Sequence, residues 1–240
     1  MVAGSVSYPP LDGSLWLPEL LEFNAQHNPD VIFYVYDEPD SSDLVSISHL
    51  DFYQACHRAA QKIGPGRADK EVVALLGNFD TLLFHTVFMG IMVAGLVVCE
   101  SFLKRNGKAS FIIVIFKPFP MSPRNSAAAV INMMEKTKCS RIITTQHSLG
   151  PLIDAIKTDF VCQGAEMGQV RVDEVPALKD LYPALVGDSP NEATVPYPRT
   201  SRPSKDDVLL YLHSSGSTGF PKPIPMTNLS AIHWCLTRKS

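Results

Sequence analysis

Stretches with the three-to-four-residue spacing of amphipathic helices alternate with short apolar, β-branched runs along this chain. That alternation restricts the fold more than any other feature of the sequence. Leu17, Leu20, Leu21 and Ala25 recur at helical spacing, with Pro18 and Glu19 in the opening turn and Asn28-Pro29 as the stop. Residues 31–36 (VIFYVY) read as a strand that ends at Asp37-Glu38-Pro39. Ser48 and Asp51 form an S-x-x-D helix start, Phe52, Cys56, Ala59, Ala60 and Ile63 line one face behind it, and Gly64-Pro65-Gly66 ends it. Strands are then expected over 71–76, 141–145 (RIITT), 169–172 and 207–212 (DVLLYL), and helical segments over 126–138, 151–157 and 177–185. Strands separated by helices imply an α/β fold, a mostly parallel sheet with flanking helices.

Residues 82–99 (LLFHTVFMGIMVAGLVVC) are almost continuously apolar and long enough to raise a membrane question. His85 interrupts them and a strand precedes them, so they are expected to be a core helix lying against the sheet, with no membrane partner. Residues 1–10 have neither a basic start nor an apolar run, so they do not read as a secretory signal. The formal charge is −3, which gives no electrostatic reason to expect a nucleic-acid partner. Cys56, Cys99, Cys139, Cys162 and Cys235 are scattered and odd in number, which suits free thiols in a reducing, cytoplasmic setting. No Cys/His group has zinc-ligand spacing, and no Gly-x-Ser-x-Gly elbow supports a serine hydrolase.

Residues 187–205 change in composition: Pro190, Pro196, Pro198 and Pro203 sit among Ser, Thr, Asn and Arg, as in an extended surface connection. The strand at 207–212 follows, and then YLHSSGSTGFPKPIPMTN over 211–228. Ser214, Ser215, Ser217 and Thr218 surround Gly216 and Gly219, with Lys222 three residues on. Glycines let backbone N–H groups approach an anion, hydroxyls add donors, and a lysine adds a compact positive charge. Placed directly after a strand, the loop would sit at the carboxyl edge of the sheet, where ligands of α/β proteins bind. It is not a Walker A loop, since Phe220-Pro221 separate Gly219 from Lys222 and Pro223 and Pro225 prevent an immediate helix. The next helix should begin near Asn228, a good N-cap. A flexible Ser/Gly linker is the blander reading, and it leaves the strand before and the F-P-K-P-I-P after unexplained. His213 is a ligand contact or a polar strand end, Asp37-Glu38 and Asp206-Asp207 are solvated turn residues, and Trp16 and Trp234 are packing residues.

The run 214–222 (SSGSTGFPK) closely resembles the phosphate loop of the adenylate-forming superfamily, which includes acyl-CoA synthetases, luciferases and the adenylation domains of nonribosomal peptide synthetases. Residues 122–126 (SPRNS), the helix and RIITT after them, and HSSGSTGFPKP resemble fungal synthetase-like enzymes of the aminoadipate-reductase-like kind. The resemblance runs over nearly the whole chain. It implies the N-terminal part of the large adenylate-forming domain, with residues 1–240 as a partial adenylation domain. It also implies a reaction in which a carboxylic acid and ATP give an acyl-adenylate and pyrophosphate, with Mg2+ on the phosphates. The acyl group would then pass to a thiol, usually phosphopantetheine on a downstream carrier domain. Ser214, Ser215, Gly216, Ser217, Thr218, Gly219 and Lys222 would hold the ATP phosphates and stabilise the departing pyrophosphate.

Pro223 and Asn228 depart from the wider pattern, which has glycine and histidine there; Thr227 is retained. The family's later motifs are not found before Ser240, so this polypeptide is expected not to catalyse adenylation by itself. The alternative is an inactive fragment that binds or interacts. Residues 98–117 (VCESFLKRNGKASFIIVIFK) look inserted, since residues 95–97 would otherwise run into 118–123 (PFPMSP). They are a lineage-specific hairpin or partner surface, an extra strand, or a translated unspliced intron, and the ease with which the flanks rejoin favours the last.

Overall fold

The computed structural model describes residues 6–10, 12–37, 44–64, 71–102, 126–162, 170–186, 194–198, 202–214 and 220–236. Helix α1 (Leu17–His27) carries Pro at its start, and Glu19 reaches back to accept from the Trp16 N–H. Strands β1 (Ile32–Asp37) and β2 (Leu44–Ser48) pair antiparallel as a separate two-stranded unit. β2 was not anticipated; its LVSIS pattern ran into the helix start that follows. Helix α2 (His49–Ile63) begins with the expected reciprocal cap, the Asp51 N–H donating to Ser48 Oγ and the Ser48 N–H to the Asp51 carboxylate. It ends at Gly64 with φ 70, as the Gly-Pro-Gly run predicts.

Six strands form the main sheet in the order β6-β5-β3-β4-β7-β8. These are β3 (Val72–Gly77), β4 (Val97–Phe102), β5 (Arg141–Thr144), β6 (Arg171–Glu174), β7 (Val208–Ser214) and β8 (Lys222–Thr227). All neighbouring pairs are parallel except β7 and β8. Helix α3 (Thr81–Val93) links β3 to β4, and α4 (Ala127–Thr137) and α5 (Gln146–Cys162) lie on either side of β5 in sequence. After β6 come a short helix α6 (Leu178–Leu181) and a 3-10 turn (Pro183–Val186); α7 (Asn228–Leu236) follows β8.

The alternation of side chains along the strands sorts the core into two layers. Val73 and Leu75 of β3, Ile143 of β5 and Leu210 of β7 pack with residues of α1, α2, α3 and α7 on one face. Ala74, Leu76 and Ile142 pack with α4 and α5 on the other. The apolar run 82–99 is therefore not one long helix. It ends as α3 at Val93, turns through Gly95 at φ 76, and enters the sheet as β4. Among the described residues no helix is long and apolar enough to cross a membrane.

β4 holds the middle of the sheet, pairing from Val72↔Val97 to Gly77↔Phe102 with β3, and at Val98↔Leu210 and Cys99↔Tyr211 with β7. Residues 98–102 of the suspected insertion thus serve as strand backbone; residues 103–125 lie outside the described set.

At the amino edge of the sheet, Arg141 is fully buried. It meets the Asp173 carboxylate at 2.6 Å and donates to the Ile63 carbonyl at 2.5 Å, with Glu71 at 4.0 Å. The described parts of the Pro-rich connection cross α2. There the Tyr197 N–H donates to His57 Nδ1 at 2.8 Å and Gln61 donates to the Val195 carbonyl at 2.6 Å.

Candidate nucleotide-phosphate site

β7 reads DVLLYL in sequence and continues two residues further, so His213 and Ser214 stand on the last turn of strand at the carboxyl edge. β8 returns antiparallel, with Ser214 opposite Lys222 and His213 opposite Pro223. The stretch leading out of the loop is therefore a strand, not an irregular lead to the helix. Pro223 and Pro225 hid it. Two residues apart on an edge strand, both can turn the side that lacks an N–H away from β7.

This register places the site residues. Leu210 and Leu212 of β7 and Met226 of β8 belong to the α2/α3 layer, so by alternation Ser214 and Lys222 stand on that same face. The loop between them is a hairpin connection held closed by their pairing. Ser215, Gly216, Ser217, Thr218 and Gly219 lie outside the described residues. Of the seven residues expected to hold phosphate, the structure thus brings together Ser214 and Lys222, and Lys222 is exposed.

On the opposite face of β7, Tyr211 packs with Met133 of α4 and Val72. His213, two residues on, shares that face. It is only 8% exposed, and neither ring nitrogen has a hydrogen-bond partner among the described residues. Burial pushes its pKa below the usual histidine range; the nearby Ser214 backbone opposes this in part, without reaching hydrogen-bond geometry. His213 thus stands at the end of β7, as a polar strand-end residue would, and it is buried there.

The far end of the hairpin is fastened from behind. Ser204 and Asp207 form a turn in which the Ser204 N–H donates to the Asp207 carboxylate at 2.7 Å, as a solvated turn residue would. Asn228 is 2% exposed, and its amide donates to the Ser204 carbonyl at 2.9 Å and to the Asp207 carbonyl at 3.3 Å. It is not the N-cap of α7. Thr227 and Ser230 bond reciprocally instead, the Thr227 N–H to Ser230 Oγ at 2.7 Å and the Ser230 N–H to Thr227 Oγ1 at 3.2 Å. Upstream, Trp16 donates its indole N–H to the Pro203 carbonyl at 3.0 Å, while Arg202 pairs with Glu19 at 2.9 Å and lies over the Trp16 ring at 5.5 Å. Trp16 is the packing residue expected, and Trp234 is 47% exposed.

A parallel α/β sheet whose last parallel strand passes into a hydroxyl- and glycine-rich hairpin ending in lysine defines an adenylate-forming class of protein. The chain belongs to the AMP-binding enzyme family, whose profile matches residues 21–239. It is 46% identical over 237 residues to adenylate-forming reductase Nps11 of Serpula lacrymans var. lacrymans, covering 96% of this chain and 19% of that protein. Adenylate-forming reductase Nps9 of the same fungus is 38% identical over 237 residues, with 98% of this chain and 19% of the relative covered. Among solved structures, the N-terminal domain of FACL13 from Mycobacterium tuberculosis shares the fold at a TM-score of 0.57 and 21% identity, over 89% of this chain and 44% of that one. The chain thus spans about a fifth of the length of the curated relatives it matches (19% in each).

Proposed function

We propose that this chain supplies the phosphate-binding part of an enzyme that activates a carboxylic acid with ATP, giving an acyl-adenylate and pyrophosphate. The observation that supports it is the pairing of Ser214 with Lys222 across one face of the β7–β8 hairpin, closing a connection whose sequence carries three further hydroxyls and two glycines. A carboxylate is a poor electrophile, and its attack on the α-phosphate needs the leaving pyrophosphate charge stabilised. Preorganised hydroxyl and backbone donors with a lysine do this at no reorganisation cost. These groups are anion donors, so they suit the phosphates themselves, and Mg2+ would arrive with the nucleotide and neutralise phosphate charge. Transfer of the acyl group to a phosphopantetheine thiol on a carrier domain is the onward step that family membership suggests.

Nucleotide binding by the purified chain tests the reading. MgATP and pyrophosphate should bind saturably, and Lys222→Ala should weaken both by roughly tenfold or more, the loss of one charge-assisted contact. Unchanged affinity in that variant removes Lys222 from the site. Carboxylate-dependent exchange of pyrophosphate into ATP, measured on the same chain, decides whether it also carries the acid-binding and orienting groups; no exchange is expected.

For domain organisation, the proposal is one adenylation-domain segment over residues 1–240, with a surface connection at 187–205 and an insertion at 98–117. One backbone fact supports the insertion. β4 ends at Phe102 and α4 is capped by Ser126, so residues 103–125 join a strand to the following helix, where roughly two to six residues are usual.

A further inference from the structure

His57, midway along α2, is 3% exposed and has no part in the proposed function. Its Nδ1 accepts from the Tyr197 N–H at 2.8 Å, so Nδ1 carries the lone pair and the ring proton sits on Nε2. Tyr53, one turn earlier on the helix, lies against the ring at 4.3 Å between centroids. One turn later, Gln61 donates to the Val195 carbonyl at 2.6 Å. Residues 194–198 (TVPYP) are thus tied to one stripe of α2, at positions 57 and 61. Pro196 and Pro198 have no N–H, so Tyr197 supplies the one backbone donor of residues 196–198, and that donor goes to an imidazole. A carbonyl or amide oxygen would hold it at any pH. An imidazole holds it only while neutral, because a proton on Nδ1 would set two donors against each other across 2.8 Å.

We propose that residues 194–198 form a proton-sensitive strap, docked on α2 while His57 is neutral and released when the ring is protonated. The proton and the Tyr197 N–H compete for one lone pair. The docked state therefore binds the proton less readily than the released one, so docking is complete above the histidine range and is lost as pH falls through it. The other titratable groups on α2 are His49, Asp51, Tyr53, Cys56, Arg58 and Lys62. Elements packed against α2 contribute Glu19, Glu22 and His27 from α1, Tyr34 from β1, His85 from α3, and Lys179 and Asp180 from α6. Asp51 is engaged in the helix cap, Glu19 with Arg202, and Asp180 with Lys62 at 3.1 Å, while Arg58 donates to the Leu181 carbonyl at 2.9 Å.

The test is hydrogen exchange of the Tyr197 amide, followed by NMR between pH 8 and pH 5 in the chain labelled with 15N-tyrosine. There are seven tyrosines, and Tyr197→Phe, which keeps the backbone N–H, identifies the Tyr197 signal by its loss. His57→Asn is the comparison, since its amide oxygen keeps an acceptor near the place of Nδ1 and does not titrate. Dividing the wild-type protection of Tyr197 by that of His57→Asn at each pH cancels the intrinsic exchange rate and the titration of the other groups. This ratio should fall by roughly thirtyfold from pH 8 to pH 5, taking the ordinary histidine value of about 6.5 for the released ring. A constant ratio overturns the proposal. Should His57→Asn not fold, the wild-type chain labelled with 15N at histidine as well decides. The 15N–15N coupling across the Tyr197–His57 hydrogen bond should be present at pH 8 and absent at pH 5. A coupling that persists at pH 5 overturns the strap, and so does one lost only together with the Tyr34 and Tyr211 strand signals, which would mark unfolding of the whole chain.

Discussion

Deleting residues 98–117 should stabilise this protein, and the sign of the effect decides what the segment is. The deletion joins Val97 to Pro118, so residues 118–122 (PFPMS) take the places of 98–102 in β4. The connection from β4 to the Ser126 cap then shortens from residues 103–125 to 123–125. Closing the shorter loop is worth about 2 kcal/mol by the logarithmic dependence on length. Against this, Pro118 and Pro120 remove up to two ladder hydrogen bonds, at about 1 kcal/mol each. Both prolines share one parity, so the loss falls on one neighbour, and the pairing with β7 is the shorter of the two. With the loss on β7, where only the first of the two proline positions is paired, the net is about 1 kcal/mol in favour of the shortened chain, or roughly 2–4 °C in Tm for a chain of this size. Thermal and urea unfolding of the two purified chains, followed by circular dichroism, measures it. If 98–102 is instead the native central strand, the deletion cuts the sheet between β3 and β7, and the variant will lose cooperative unfolding altogether. That result would refute the insertion.

Three further predictions concern stability. His85 of α3 lies against Tyr34 and Phe84, and burial lowers its pKa from 6.5 to about 4. Its folded state binds the proton less readily than the unfolded chain, so the wild type should lose about 3 kcal/mol as pH falls from 6.5 to 4, and His85→Phe should show a flatter urea-midpoint profile over that window. Gly90→Ala should destabilise by about 1–3 kcal/mol, because the new Cβ would stand 2.6 Å from Ala59 Cβ and 3.1 Å from the Cys56 carbonyl where α3 crosses α2; an unchanged urea midpoint counts against that close approach. Asn228→Asp replaces two amide donations by a carboxylate facing the Ser204 and Asp207 carbonyls and should cost about 3 kcal/mol; a Tm within a degree of wild type would show that the amide does not fasten the turn.

Most of the sheet was legible because parallel strands buried on both faces are short unbroken apolar runs, as VVALL and RIIT are. Helix starts were legible where a side chain caps locally, as Ser48 and Asp51 do. What the sequence hid depends on distant partners or on context. β8 carries two prolines, which argue against a strand unless it lies at an edge, and edge position is a property of the whole sheet. Asn228 looks like a cap, yet its partners are twenty residues and more upstream, and the neighbouring Thr227 and Ser230 take the cap instead. Arg141 looks like an exposed strand-start charge, but Asp173 and the Ile63 carbonyl enclose it from other elements. The apolar stretch 82–99 offered no local sign of where helix passes to strand except Gly95. In the candidate site, residue types were readable, while facing directions followed only from the register of β7 with β8.

On the proposed phosphate-site reading, that register shows how the loop would work without the helix N-terminus that serves other phosphate-binding folds. A Ser/Gly-rich connection held at one end only would sample many conformations, and ordering it on a ligand would consume binding energy. Here both ends are fixed in one antiparallel ladder, Ser214 against Lys222, so the lysine and the first hydroxyl are positioned before any ligand arrives. The ladder is itself anchored at its open end. Asn228 ties the start of α7 to the Ser204–Asp207 turn, and Trp16, Glu19 and Arg202 tie the chain just before that turn to α1. The departure to asparagine at 228 therefore serves the rigidity of the hairpin, and Pro223 and Pro225 narrow the backbone freedom of its outer strand. On the proposed function, the preorganisation that transition-state charge stabilisation requires would thus come from strand pairing and from contacts between residues almost two hundred apart in sequence, such as the Trp16 to Pro203 bond.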